Sequence, residues 1–384
     1  IKMSSNGSLS NKREYQMCTR CIMDTSDPDI IFDEHGVCNH CTSFIDRLQS
    51  RKYVKGESEA EWSRYVEVIK QNGKGKQYDC IVGISGGVDS CYTAYLCKQH
   101  GLRALLIHMD NGWDTEIAVN NIITLAKELD FDYMSYVLDW EEFKNIQLAY
   151  LKASTVDLEM PTDIAILASI YEVAAKNKIK YIISGGNISS EGILPLHWGY
   201  HSYKDMKMYN HIVRKYSNTR IKKVPVIGLL KESWYRFFYK IKTLYILNYI
   251  DFNKDVAKKY LMDNLNWKDY GGKHHESKIT AFWQGYVMYE KFGMDYRKAI
   301  FSSQICLHQI SREDALEKLK EQPFNDEKIK EDKKYIAKKF GITGEELEQY
   351  LKLPSKTYVD FPNNKKLIEF CYSLYNKHFN QKRV

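Results

Sequence analysis

Prolines are few in this chain, seven in 384 residues, and no apolar run reaches the roughly 18 residues of a membrane span. The nearest approach, Trp234 to Ile250, is interrupted by Arg236, Lys240 and Lys242. Residues 1–14 are polar and rich in Ser and Asn, which predicts a disordered tail and no secretory leader. The nine cysteines are therefore expected as thiols or metal ligands, not disulfides, and a cytoplasmic location is expected with them. A Walker P-loop is missing as well, since no glycine loop closes with Gly-Lys-Ser or Gly-Lys-Thr. Charge of one sign is not in great excess: 56 basic against 49 acidic residues gives +7, which suits an anionic small molecule as well as RNA. With 44% hydrophobic residues, 29 Tyr and 15 Phe, the composition is that of a globular, aromatic-rich chain.

Four of the cysteines are organised. Cys18-x-x-Cys21 and Cys38-x-x-Cys41 stand sixteen residues apart, the spacing of tetrathiolate zinc sites. Each pair can present two sulfurs from one knuckle, and two knuckles close a tetrahedron, which argues for a structural ion. Redox pairs or an iron–sulfur cluster are the alternatives. His40 stands between ligands, but four thiolates already complete the shell. The knuckle is expected over residues 15–45, and a polar helical connector follows over 46–76, ending at Asn72-Gly73-Lys74-Gly75.

From Tyr78 strands and helices alternate. Strands are predicted at 79–84, 104–109, 133–138 and 181–184, with helices near 88–100, 115–129, 141–154 and 162–177. This is the pattern of an α/β fold, a mostly parallel doubly wound sheet, here over residues 77–205. The first strand runs into Ser85-Gly86-Gly87-Val88-Asp89-Ser90 at a helix start. Unpaired N–H groups, the helix dipole and glycines that let backbone approach an anion make that turn a phosphate site. Ligands of open α/β sheets lie beyond the carboxyl ends of the strands, where Asp110-Asn111-Gly112 and Gly185-Gly186-Asn187 also stand.

Past residue 200 the alternation stops, and residues 206–384 read as a helical substrate or partner region. Leu230, Trp234, Phe237, Phe238, Ile241, Leu244 and Tyr245 recur at helical spacing, which predicts a core or subunit-contact helix; a homodimer is one expectation for it. The block Trp267 to Ser277 places Gly271-Gly272-Lys273-His274-His275-Glu276 at a predicted helix start. That repeats the anion logic with a cation added, so Lys273 could hold a leaving pyrophosphate. His274 and His275 are adjacent, so at most one faces a site.

Ser85 to Ser90 resembles the PP-loop of the N-type ATP pyrophosphatases. The resemblance implies an adenine nucleotide alpha hydrolase-like fold and cleavage of ATP to AMP and pyrophosphate, with His108, Met109 and Asp110 beside adenine and ribose. With Cys18-Thr-Arg-Cys-Ile-Met-Asp-Thr before it, and Gly271 to Ser277, Phe301 to Cys306 and Ile310 to Ala315 behind it, residues 15 to about 325 resemble the N-acetyl sugar amidotransferases of bacterial surface-glycan synthesis. These include enzymes of pseudaminic and legionaminic acid pathways. The resemblance implies ATP, Mg²⁺ and structural Zn²⁺ as cofactors, and conversion of an acetamido group on a nucleotide-activated sugar to an acetamidino group. No glutaminase signature occurs, so ammonia would come from solution or from a HisH-like glutaminase with a HisF-like partner. Asp89, Lys273, His275 and Glu276 are the candidate catalytic residues. Ser85, Gly86, Gly87, Val88, Asp89, Ser90, His108, Met109, Asp110, Gly185, Gly186 and Lys273 are the nucleotide candidates. Asn187, Glu191, His197, Trp198 and Tyr200, with His201 and Lys204, are the sugar candidates. The competing expectation is a tRNA thiolase, which would want a reactive CxxC in the cleft; Cys80, Cys91, Cys97, Cys306 and Cys371 form none. Nucleic acid is therefore not the expected partner.

Overall fold

The computed structural model describes residues 13–51, 55–199, 205–217, 219–271 and 276–378. Five parallel strands form one sheet: β1 (Cys80–Gly83), β2 (Ala104–Asp110), β3 (Asp132–Val137), β4 (Tyr181–Ser184) and β5 (Lys242–Tyr245), in the order β3-β2-β1-β4-β5. Helices α1 (Asn39–Arg51) and α2 (Glu57–Gly73) precede the sheet, and α3 (Val88–Gln99), α4 (Glu116–Glu128), α5 (Trp140–Ala153) and α6 (Met160–Lys176) connect its first four strands. Between β4 and β5 come the single turn α7 (Ile188–Glu191), α8 (Met206–Tyr216) and α9 (Leu229–Phe237).

The central strands β1, β2 and β4 are largely apolar because both faces are covered, whereas the edge strands β3 and β5 carry exposed polar residues such as Asp132 and Lys242. Cys80, Val82, Leu106, Tyr181 and Ile183 face a core made with α2, α3, α4 and the later helix α10 (Lys254–Leu265). Their neighbours Ile81, Leu105, Ile107 and Ile182 face α6 and Tyr235 of α9. The period of two thus sends alternate side chains to two helical layers, and the sheet is doubly wound as the alternation predicted.

Two expectations are corrected. The sheet does not end near residue 205: β5 pairs with β4 from Tyr181↔Lys242 to Ser184↔Tyr245, so residues beyond that boundary belong to the nucleotide fold. The strand was hidden inside the apparent helical run 230–245. That run breaks at Lys240, which has φ 56, and continues as β5. Side chains on one face of α9 stay outside, with Leu230 87% and Trp234 55% exposed, so of the expected core or subunit-contact helix only the face of Glu232 and Tyr235 enters the core.

The remainder is helical: α11 (Lys278–Phe282), α12 (Met288–Phe292), α13 (Tyr296–Cys306), α14 (Arg312–Leu319), α15 (Asp326–Phe340), α16 (Gly344–Leu351) and α17 (Lys365–His378). A π-helical turn, Trp283–Val287, joins α11 to α12. No helix among the described residues is long and apolar enough to cross a membrane.

Candidate active site

The chain leaves β1 for β2 and β3 on one side and returns to place β4 on the other. A sheet wound this way has its crevice outside the carboxyl ends of the two strands where the order reverses, here β1 and β4. Ser85 to Ser90 leaves the first and Gly185-Gly186 the second.

The loop after β1 is closed by its own serines. Ser85 Oγ accepts from Gly87 N–H at 3.3 Å, while Ser90 Oγ donates to Gly87 O at 3.1 Å and accepts from Ser85 N–H at 3.2 Å. Gly86 has φ 82, and a Cβ there would lie 2.5 Å from the Ala118 carbonyl oxygen of α4. Gly185 is as constrained: a Cβ would lie 2.9 Å from the carbonyl carbon of Asp89 and from the nitrogen of Ser90. The backbone of β4's end therefore lies flush on the first turn of α3, beside the glycine cradle of the loop. Val88 opens α3 as a buried residue.

Asp89 stands in that first turn. Its Oδ2 meets Ser190 Oγ at 3.4 Å and Lys254 Nζ, at the start of α10, at 3.7 Å. Its Oδ1 is buried with no hydrogen-bond partner. A glycine cradle beside an orphaned carboxylate oxygen is what a nucleotide's phosphates and a divalent cation require. Lys254 escaped the sequence reading, because nothing local marks the first residue of a distant helix as a neighbour of the loop.

The Trp267–Ser277 block does return to this loop. Trp267 Nε1 donates to Gly86 O at 2.9 Å, and Tyr270 Oη lies 3.0 Å from where a Gly87 Cβ would be. Lys268 and Asn121 exchange two hydrogen bonds of 2.8 Å, tying the block to α4. Beyond Gly271, Glu276 Oε1 comes to 3.6 Å of the same Gly87 position, and its carbonyl accepts from Thr115 N–H at 2.9 Å. Lys273 and His275 lie outside the described residues, but both flanks of their segment touch the loop.

Other expected residues are placed differently. His108 is 4% exposed and bridges Ile84 O and Asp114 Oδ2, each at 3.1 Å. Burial would lower its pKa, but the Asp114 carboxylate raises it. The ring is a brace beneath the loop. Met109 is buried in the core, and Asp110 Oδ1 accepts from Gly112 N–H at 2.8 Å. Asn187 is 1% exposed; its side chain caps α7 by accepting from Ser190 N–H at 2.9 Å and donates to Gly185 O at 3.1 Å. Its amide shapes the loop. Glu191 Oε2 lies 3.5 Å from a Gly186 Cβ position, facing the crevice. His197 lines a cavity with Asp157, Met160, Met208 and Tyr358, whereas Trp198 is packed in the core. Tyr200, His201 and Lys204 lie outside the described residues.

The sequence reading also missed three carboxylates at the start of α6, on the sheet face opposite α3. Asp157 is pushed up to about 7 by burial and by the charge of Glu159, and Glu159 to about 7 by burial. Asp163 is exposed at the surface, whereas Asp157 and Glu159 are half-buried. Glu159 Oε2 accepts from Thr280 Oγ1 at 3.0 Å, which itself bonds Ser277 Oγ at 2.9 Å. A run of acids ahead of Pro161 reads as ordinary helix capping; only its position against the β4 loop gives it depth.

Cys18, Cys21, Cys38 and Cys41 are fully buried, and their four sulfurs lie within 4.8 Å of one another. A tetrahedral ion with sulfur at about 2.3 Å sets thiolates roughly 3.8 Å apart; the Cys21–Cys38 and Cys18–Cys41 separations are 3.8 and 3.9 Å. The four thiolates are thus placed to hold a metal, zinc or an iron–sulfur centre. His40 is engaged by Asp27 at 2.6 Å and stays outside the set. The knuckle docks on α13 and α14: Ile22 N–H donates to Ser302 Oγ at 3.3 Å, and Arg312 donates to the carbonyls of Cys21 and Cys18 at 3.0 and 3.1 Å. One residue on, Ser303 Oγ accepts from Ile193 N–H at 2.9 Å, so α13 couples the knuckle to the β4 loop.

With this geometry in place, comparison with known proteins divides the chain. Residues 61–194 match the NAD synthase family. The fold is that of the PP-loop ATP pyrophosphatases. Residues 276–376 match the family described as LPS biosynthesis protein WbpG-like, C-terminal domain. A curated relative, the tRNA-specific 2-thiouridylase of Lysinibacillus sphaericus, is 39% identical over 62 residues, which span 16% of this chain and 16% of that protein. Among solved structures, the NMN synthetase of Francisella tularensis covers 67% of this chain and 94% of its own, at 13% identity and a TM-score of 0.34. The NH3-dependent NAD synthetase of Campylobacter jejuni covers 64% and 92%, at 17% identity and a TM-score of 0.29.

Proposed function

We propose that this protein is an ATP-dependent, AMP-forming amidotransferase. It would adenylate the acetamido group of a nucleotide-activated sugar and replace that oxygen with ammonia, in the synthesis of a bacterial lipopolysaccharide or related surface glycan. The observation that carries the reading is the meeting of two matched regions at one loop: Glu276, the first residue of the WbpG-like match, lies over Gly87 of the PP-loop.

An amide carbonyl is a poor electrophile, and transfer of AMP to its oxygen makes an imidate with a good leaving group. The cradle of Ser85 to Ser90 holds the phosphates, with Lys254 adding a positive charge beside Asp89. Asp89, whose Oδ1 is buried without a partner, would hold Mg²⁺, and the ion would supply neutralisation of phosphate charge. On the far wall, Asp157, Glu159 and Asp163 suit an ammonium ion. A carboxylate with a pKa near 7 can take its proton, and the ammonia then attacks the imidate carbon. The C–N bond forms, the C–O bond to AMP breaks, and the same carboxylates face the amidinium cation that results. Orientation of two bound reactants supplies most of the acceleration. The four thiolates would hold structural zinc.

The test is incubation with ATP, Mg²⁺, ammonium chloride and a panel of UDP- and CMP-linked acetamido sugars, read by mass spectrometry. The expected product is lighter by the difference between O and NH and is accompanied by AMP; ADP as the nucleotide product overturns the mechanism. The thiouridylase match supports a second reading, RNA thiolation. Its sulfur carrier would need an accessible cysteine, yet Cys80, Cys91 and Cys97 are fully buried and Cys306 lies 3.7 Å from Cys41 of the knuckle. A Cys91→Ser variant that keeps AMP formation with the sugar panel would exclude it.

A further inference from the structure

Helix α9 is seated by one face only. Tyr235 stacks on Tyr171 of α6 at 5.3 Å and 25°, and Glu232 is buried beside it. The opposite face carries Leu230, Trp234 and Phe238, four residues apart in turn, so the three form a single ridge. They are 87%, 55% and 63% exposed, and Tyr239 next to them is 40% exposed. The Trp234 and Phe238 rings stack face to face at 4.3 Å and 10°, giving a flat aromatic slab. Single exposed apolar residues need no explanation, whereas a contiguous patch does.

We infer that this ridge is the contact surface of a homodimer in which α9 packs against α9 of a second copy. Aromatic side chains present about 150–250 Å² each when open, so these four residues leave roughly 500 Å² of apolar surface, the size of a functional patch. A standard interface buries about 800 Å² per partner, with an apolar centre and a polar rim. The ridge supplies the centre.

Local charge favours a second copy. The chain carries +7, so two copies repel except where local charge is balanced. Beside the ridge, Lys231 pairs with Glu172 at 2.9 Å and Arg236 with Glu232 at 2.7 Å. Ridges of i±4 residues interdigitate with their like, at a crossing of about −50°, and a two-fold axis makes one surface its own complement. The neighbouring end strand β5 exposes Lys242, which disfavours edge-to-edge strand pairing, so the contact is helix on helix.

The experiment is light scattering on a sizing column at micromolar concentration. Wild type is expected at twice 45.1 kDa, and Leu230→Asp and Trp234→Glu each at 45.1 kDa with unchanged circular dichroism spectra, which shows that the subunit itself still folds. Trp234→Phe should stay dimeric. A monomeric wild type, or dimers that survive both charged variants, overturns the inference. A monomer that floats with phosphatidylserine vesicles overturns it in favour of a lipid surface.

Discussion

Gly86 is where one atom decides the most. Its positive φ and the Ala118 carbonyl 2.5 Å from a would-be Cβ leave an alanine no place, so Gly86→Ala should cost about 1–3 kcal/mol in a urea titration. It should also abolish ATP binding by calorimetry. Asp89→Asn keeps shape and removes charge. The expected result is a normally folded protein whose AMP formation falls on the order of 10²-fold, and wild-type rates in that variant would remove Asp89 from the mechanism. The Ser85 to Ser90 loop was readable because a strand, a glycine turn and a helix cap are local facts. Asp157 and Glu159 were not, because their pKa values depend on what surrounds the start of α6.

The knuckle, α13 and the β4 loop behave as one unit at the scale of elements. Ser302 holds the knuckle, Ser303 holds residue 193, and Arg312 returns to the ligand-bearing turns. A chelator should release one zinc per chain, measured with a colorimetric indicator. Hydrogen exchange should then quicken over 188–193 as well as over 18–41; quickening confined to the knuckle would show that α13 transmits nothing. Trp267→Phe keeps the ring and deletes the bond to Gly86 O. It should weaken ATP binding by about 1 kcal/mol. Sequence picked out these blocks as motifs, but which loop each one holds, the β4 loop for the knuckle and α13 and the Ser85–Ser90 loop for Trp267, is a matter of docking.

Across the whole molecule, the α6 carboxylates give stability a pH dependence of known sign. Asp157 and Glu159 are pushed up to about 7 when folded, against roughly 4 in an open chain. The folded protein thus binds more protons between those values, and stability falls as pH rises through the window. His108, raised by Asp114, acts in the same direction. The melting temperature should drop between pH 5 and pH 8, and Glu159→Gln should flatten the slope; a rise over that range would contradict the placement of these acids.

The sequence by itself determined what is periodic or contiguous: four strands and their crossover helices, the phosphate loop, and the spacing of four thiols. Tertiary structure decided what depends on neighbours distant in the chain. It made residues 242–245 the fifth strand, because an edge strand needs only a partner and four residues, too short a run to show a period. It turned His108 and Asn187 into braces, because a polar side chain beneath a glycine loop must satisfy the backbone it is buried against. And it left Leu230, Trp234 and Phe238 outside, because α9 has two faces and the sheet could cover one.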